Sequence, residues 1–208
     1  AYLVFDSYDL LNDSNDLVEY LEEVSINLTV ENVGVNNTNA INISVESESP
    51  YITMIDNTSM IAYAISGALA TTESPISFIV SESVPDGHLA QFSALLDDGD
   101  SQWEMSFSID IHAPVFEILN PQITDENQDN IWDAGETAII DVELANSGSA
   151  GFGWYPGAVI TTDNSFVTIL SNDNSNTFYG IDAETIYQGM FYVIADDFIP
   201  VNYSEVDF

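Results

Sequence analysis

Residues Glu23–Gly34 read EVSINLTVENVG, and residues Thr137–Gly148 read TAIIDVELANSG. In the first, Val24, Ile26, Leu28 and Val30 alternate with polar residues. Ala138, Ile140, Val142 and Leu144 do the same in the second, and each run closes on Asn-x-Gly. A period of two sends successive side chains to opposite faces of an extended chain, so each run reads as a strand with one face in a core and one in water. The two lie 114 residues apart, and the likeness extends outward from them. YITM at Tyr51–Met54 matches FVTI at Phe166–Ile169, and VPDGHLAQF ending at Phe92 matches IPVNYSEVDF ending at Phe208. A period near 115 residues is too long for a solenoid unit and fits two tandem copies of one domain. The expected domains are residues 1–113 and 114–208, linked near Ala113-Pro114.

Met105, Phe107, Ile109 and Ile111 alternate in the same way. Short alternating strands separated by Asn, Asp, Gly and Ser turns predict an all-β fold of two tandem immunoglobulin-like β-sandwich domains. The apolar segment SMIAYAISGALA, Ser59–Ala70, has no decisive period, and a helix there stays open. Copy one continues 21 residues beyond Phe92 to Ala113, through the strand QWEMSFSIDI, whereas copy two stops at Phe208. The second sandwich is therefore expected to lack its C-terminal strand or strands, which leaves unpaired backbone and an apolar groove. Truncation at Phe208 is the plain alternative.

The 208 residues include 35 Asp and Glu, two His and no Lys or Arg, a formal charge of −35. Ordinary usage would supply about 25 basic residues, so they were selected against or the segments holding them were removed. Without cations the chain has nothing to neutralise nucleic-acid phosphates or anionic lipid headgroups, which excludes both as partners. A hydrophobic content of 46% and 12% aromatics exceed what disordered acidic chains carry, so the chain folds. Self-repulsion among the carboxylates favours bound divalent metal. There is no cysteine, hence no disulfide and no thiolate chemistry. No apolar run is long enough to span a bilayer, and a start at Ala1 without Met or leader reads as a processed product or a trimmed one.

The sharpest local motif is DENQDNIWDAGE, Asp125–Glu136. Numbered as a twelve-residue calcium loop it offers Asp125, Asn127, Asp129, the Ile131 carbonyl, Asp133 and a closing bidentate Glu136, an all-oxygen set suited to a hard cation. Asn130 stands where such loops have glycine, and Asn tolerates the left-handed backbone better than most residues. Strand-like flanks place the loop between two strands of a sandwich; an acidic surface turn that binds nothing is the alternative. Copy one keeps Asp13, Asn15, Glu19 and Glu22 in register but has Leu11 at the first position.

Glycosylation sequons occur at Asn12, Asn27, Asn36, Asn42, Asn57 and Asn202. Asn27 and Asn42 are expected to point outward from their strands, where a glycan could be carried, although a chain rich in Asn, Ser and Thr also produces the tripeptide by chance. Phe152, Trp154 and Tyr155 in GFGWYPG could stack on sugars or a partner, or pack within the fold. His88 and His112 read as structural. Ser149 in GSAG is no nucleophile elbow, and no phosphate-cradling loop is present, so no enzyme activity is expected.

Taken together, DENQDNIWDAGE, the strand ending ELANSG and the later VTI, IP and W-x-M-x-F-x-I elements resemble the immunoglobulin-like modules of secreted Bacteroidota proteins. Such modules follow the catalytic domain in gingipain-type peptidases. The resemblance implies an extracellular or cell-surface location and a scaffold without peptidase residues. It also brings in surface proteins that form fibres when trypsin-like cleavage opens a groove for a neighbour's strand. A chain without Lys or Arg would be a limit product of such cleavage. The expectation is a calcium-stabilised filament subunit that forms a head-to-tail homo-oligomer by strand complementation. Its donor would be the apolar run Ala1, Tyr2, Leu3, Val4 and Phe5. The alternative is an accessory glycan-binding or spacer module of a larger secreted enzyme.

Overall fold

The computed structural model describes residues 1–11, 15–153, 157–170, 175–177 and 180–199, with backbone alone at 157, 158 and 175–177. The chain divides into two compact units, Ala1–Ala113 and Pro114–Phe208. Every regular element among the described residues is a strand.

The first unit comprises β1 (Leu3–Leu11), β2 (Val18–Glu19), β3 (Glu23–Asn32), β4 (Ile41–Ser47), β5 (Ile52–Asp56), β6 (Thr58–Ile61), β7 (Leu69–Thr71), β8 (Ile76–Val80), β9 (His88–Asp97) and β10 (Gln102–His112). One sheet runs β1-β3-β8-β5, with β7 also on β3; the other runs β2-β10-β9-β4-β6. Their alternating apolar faces meet in one core, where Ile26, Leu28 and Phe78 of the first sheet pack with Val45, Phe92 and Ile109 of the second. Burial is one-sided in each strand, as the period of two requires, so the unit is a β-sandwich. A ladder of stacked rings crosses it: Phe5 lies 5.2 Å from Phe107, and Phe107 5.1 Å from Phe92. Ser59–Ala70 is not a helix. Ile61 ends β6, Ala64 exchanges backbone and side-chain bonds with Thr38, Gly67 turns the chain at φ +73°, and Leu69 begins β7.

The second unit contains β11 (Phe116–Asp125), β12 (Thr137–Asn146), β13 (Gly157–Val159), β14 (Val167–Ile169), β15 (Ser175–Thr177) and β16 (Thr185–Ala195). Its main sheet runs β11-β12-β16-β14, the order of β1-β3-β8-β5, and β13 pairs with β15 as β4 pairs with β6. Both first strands are bulged near the middle of the ladder, between Phe5 and Ser7 and between Leu119 and Gln122. Its buried apolar residues form a smaller group around Ile140, Val142, Phe191 and Val193 and a separate one around Leu144 and Ile181.

A buried asparagine explains the repeated Asn-x-Gly. Asn32 Oδ1 accepts from Tyr2 N and Gly34 N, both at 3.1 Å, while its Nδ2 donates to Asn36 O at 2.8 Å and Ala64 O at 3.0 Å. Asn146 repeats this set: Oδ1 accepts from Val115 N at 3.0 Å and Gly148 N at 3.1 Å, and Nδ2 donates to Ala150 O at 2.9 Å and Asp182 O at 3.1 Å. One amide thus ties the entry of each unit's first strand to the loop after the strand the asparagine ends, with all four of its hydrogen-bonding positions used.

Candidate functional site

Asp125 ends β11, and Glu136 immediately precedes β12, so the loop between them is held at both ends by paired strands. Asp125 is buried, and its two carboxylate oxygens accept from Asp129 N at 3.0 Å and Asn130 N at 3.2 Å. Asn127 Oδ1 also accepts from Asp129 N, Asp129 Oδ1 accepts from Ile131 N, and Glu136 Oε2 accepts from Asp133 N at 3.1 Å. The backbone is left-handed at Gln128 (φ +62°) and Asn130 (φ +69°), the position where the sequence offered Asn for glycine. The donor types suit calcium. As placed, the side chains serve the loop's own amides, and no group of three or more His, Cys, Asp or Glu side chains converges as a metal site among the described residues.

Sequence reading missed two neighbours of this loop. Trp132 Nε1 donates to Glu136 O at 2.9 Å, which closes the loop from inside. Gly135 has φ +81°, and a Cβ there would stand 2.6 Å from Asp197 Oδ1. Nothing in the spacing of Asp197 marks it as a neighbour, because the approach is made by the residues following β16.

From residue 15 onward, where it is described, the loop of the first unit follows the same turns. Asp16 (φ +59°) and Leu21 (φ +61°) match Asn130 and Gly135. Leu17 N donates to Asn15 Oδ1 at 3.1 Å as Ile131 N does to Asp129, and Glu19 N donates to Glu22 Oε2 at 2.9 Å as Asp133 N does to Glu136. In the ladder Leu11 pairs with Ser25 as Thr124 pairs with Ile139, so the position matching Asp125 falls on Asn12, which with Asp13 lies outside the described residues.

The second feature is the inner face of β11. Opposite residues of an antiparallel pair share a face. Leu3, Phe5 and Leu10 stand opposite Asn32, Val30 and Ile26, and Phe116, Ile118 and Ile123 stand opposite Asn146, Leu144 and Ile140. In the first unit this row is covered: Leu3 is 4% exposed, and Phe5 and Leu10 pack on the core that β10 completes. In the second, Phe116, Ile118 and Ile123 are 39%, 54% and 47% exposed. Phe116 leans edge-on against Phe152, 5.6 Å away, and no strand among the described residues lies where β10 lies in the first unit.

The expected donor run is already engaged within its own unit. Leu3, Val4 and Phe5 pair with Asn32, Glu31 and Val30, Tyr2 N is bound by Asn32, Val33 N donates to Tyr2 O, and Phe5 stacks on Phe107. Serving as a donor elsewhere would strip β3 of this edge partner and open the ring ladder.

Of the sequons, Asn36 and Asn57 lie exposed in loops and Asn42 exposed on β4, while Asn27 is half-buried on β3 with Thr72 Oγ1 donating to it at 3.4 Å. Asn12 and Asn202 lie outside the described residues, as do Trp154 and Tyr155. Phe152 packs inside the second unit, bridged to Ile181. His88 Nε2 lies 2.8 Å from Ser49 Oγ and its ring meets the Tyr51 edge, while Ser49 Oγ also accepts from Tyr51 N, so the pair belongs to a turn. His112 ends β10, its carbonyl accepting from Tyr20 N. Burial, and next the charge of Asp110, raises the Tyr8 phenol above its usual range; burial and then Glu19 do the same to Tyr20.

No family model matches the chain, and no curated protein does. Among solved structures it is similar to the secreted serine protease VesC from Vibrio cholerae, at 10% identity and a TM-score of 0.28, over 91% of this chain and 47% of that one. It is also similar to the YadV chaperone, at 11% identity and a TM-score of 0.30, over 91% of this chain and 84% of that one. The chain thus spans about half the length of VesC. Likenesses at this level leave function to be argued from the chain's own residues.

Proposed function

We propose that the chain is two copies of one immunoglobulin-like module, like those of secreted Bacteroidota proteins, and that it serves as a structural subunit of an extracellular filament. The second module is completed by a strand from the next subunit, and calcium held by Asp125, Asn127, Asp129, the Ile131 carbonyl, Asp133 and Glu136 stiffens the loop beside it. The exposed inner row Phe116, Ile118 and Ile123 carries this reading, because the matching row of the first unit, Leu3 buried and Phe5 and Leu10 half-buried, packs against an element the second does not show among its described residues. A strand entering there would bury apolar side chains and supply main-chain bonds, and a head-to-tail contact of that kind propagates without closing. The repeated strand order and the two equivalent asparagines support the two-copy part.

Sedimentation and electron microscopy of native material test the proposal. It predicts long polymers that shorten when Ile118→Asp is introduced; monomers at all concentrations would contradict it. A monomer that binds polysaccharide would instead favour the accessory module. For calcium, the melting temperature should rise with added ion, since a ligand at a hundred times its dissociation constant adds about 2.7 kcal/mol to the folded state. Asp129→Ala alone is a poor test, because Asp129 also caps Ile131 N. The informative result is loss of the calcium-dependent part of the shift in that variant.

A further inference from the structure

We propose that the first unit docks a second copy of the chain through an apolar face at one of its ends, with Val35 of each copy entering a depression on the other. The proposal does not rest on the filament reading, because this face belongs to a unit whose two sheets already close over one core. Ile61 stands opposite Ile41, Asn42 opposite Asp97, and Asp97 opposite Gln102. The β3–β4 and β6–β7 connections therefore lie at the end of the unit where β10 begins, away from Ala113. There Val35 is 89% exposed, and Val33, Tyr63, Ile65 and Leu69 are each about half exposed.

Hydrogen bonds join the two connections into one surface. Thr38 N donates to Ala64 O at 3.1 Å and Ala64 N to Thr38 Oγ1 at 2.7 Å, while Ser66 donates from Oγ to Gly34 O at 2.6 Å and from N to Asn37 Oδ1 at 3.0 Å. Tyr63, Ile65 and Leu69 line an open depression of about 290 Å³. The fold does not ask for the two valines. Asn32-Val33-Gly34-Val35 corresponds to Asn146-Ser147-Gly148-Ser149, and Asn146 repeats the hydrogen bonds of Asn32. The second unit thus builds the same turn with serine at both places.

Area, charge and shape name the occupant. The five side chains expose roughly 500 Å², which matches the apolar share of the ~800 Å² that each partner of a standard interface buries. Residues 32–45 and 57–72 contain no Asp or Glu, in a chain where 35 of 208 residues are acidic. Carboxylates stand only at the rim, on Glu31 opposite Leu69 and on Asp100, which accepts from Asn39 Nδ2. A second copy can therefore meet this face without setting carboxylate directly against carboxylate, and a partner selected by its charge has nothing to read within it. A protruding Val35 beside a depression is a knob and a hole on one surface, the self-complementarity that a two-fold contact requires.

The test is sedimentation of the full chain carrying Ile118→Asp, or the milder Ile118→Thr should the first not fold, so that strand exchange at the second unit does not contribute. This chain should form dimers and nothing longer, tightening about tenfold or more between ~0.15 M and ~1 M salt as the rim carboxylates are screened. Adding Val33→Ser and Val35→Ser, a pair the module's fold accommodates in its second copy, should weaken the dimer about tenfold or more. Leu89→Ser, on the exposed outer side of β9, should leave it unchanged. Because the chain has no cysteine, the single thiol of Val35→Cys reports on the face, and its alkylation should slow as concentration rises through the dimer range. Monomers at about 1 mM in both salts, a dimer that loosens with salt, or a dimer indifferent to the double substitution would overturn the proposal. So would slow alkylation of Val35→Cys in the monomer, because the chain would then cover the face itself. Dimers here, with no polymers from the unsubstituted chain, would leave this contact standing and remove the filament reading alone.

Discussion

Asn32 and Asn146 each satisfy four backbone groups with one side chain, so their loss should be far larger than that of an ordinary surface asparagine. Asn32→Ala removes the side-chain partner of the Tyr2 and Gly34 amides and of the Asn36 and Ala64 carbonyls, in part-buried to buried surroundings, at a cost of about 3 kcal/mol. Chemical denaturation followed by near-UV circular dichroism should show this loss for Asn32→Ala and a similar one for Asn146→Ala; a loss below about 1 kcal/mol would deny the tie. The Asn-x-Gly repeat was visible in the sequence, but its role was not, because the partners at Ala64 and Asp182 lie 32 and 36 residues away. Gly135 is a second such position. Its left-handed backbone and the Asp197 carboxylate where a Cβ would go predict that Gly135→Ala destabilises by about 1–2 kcal/mol or more. Leu21→Gly, at the matching position where an exposed Leu already holds φ +61°, should be neutral or stabilising by up to about 1 kcal/mol, read from the same melts.

Among elements, the strands were legible wherever one face is buried and the other wet, as in β3, β12 and β10, because that pattern has a single period. Ser59–Ala70 was not, because its order comes from Thr38 and a turn at Gly67, contacts that periodicity does not encode. The strand-flanked loop at Asp125–Glu136 was read correctly as a loop between β11 and β12, but the use of its carboxylates as amide caps follows from backbone geometry unseen in a list of residues. Conversely, the apolar character of Ala1–Phe5 was visible in the sequence, whereas its hold by Asn32 and Phe107 was not. The raised phenols of Tyr8 and Tyr20 add a pH dependence to the first unit. A group held neutral in the folded state stabilises it fully below its unfolded value near 10, and that contribution fades as pH rises through the higher folded value. Alkaline titration of the melting temperature should therefore show a decline beginning at about pH 10, smaller in Tyr8→Phe; an unchanged slope in that variant would place the cause elsewhere.

At the scale of the whole molecule, 35 carboxylates without a single Lys or Arg make self-repulsion the dominant long-range term. Stability should rise with monovalent salt, with most of the gain reached once screening is short, at about 0.5 M, and a melting temperature independent of salt would contradict it. Among the described residues the two units also differ in how the inner row of their first strand is covered. In the first, both sheets close over one core; in the second, the inner row of β11 lies open beside two smaller apolar groups. Native-state hydrogen exchange of the isolated chain reads that difference most directly. Amides that β11 shares with β12 should exchange at least about tenfold faster than those β1 shares with β3. Equal protection of β1 and β11 in the chain alone would contradict the account, because the second unit would then be complete without a neighbour.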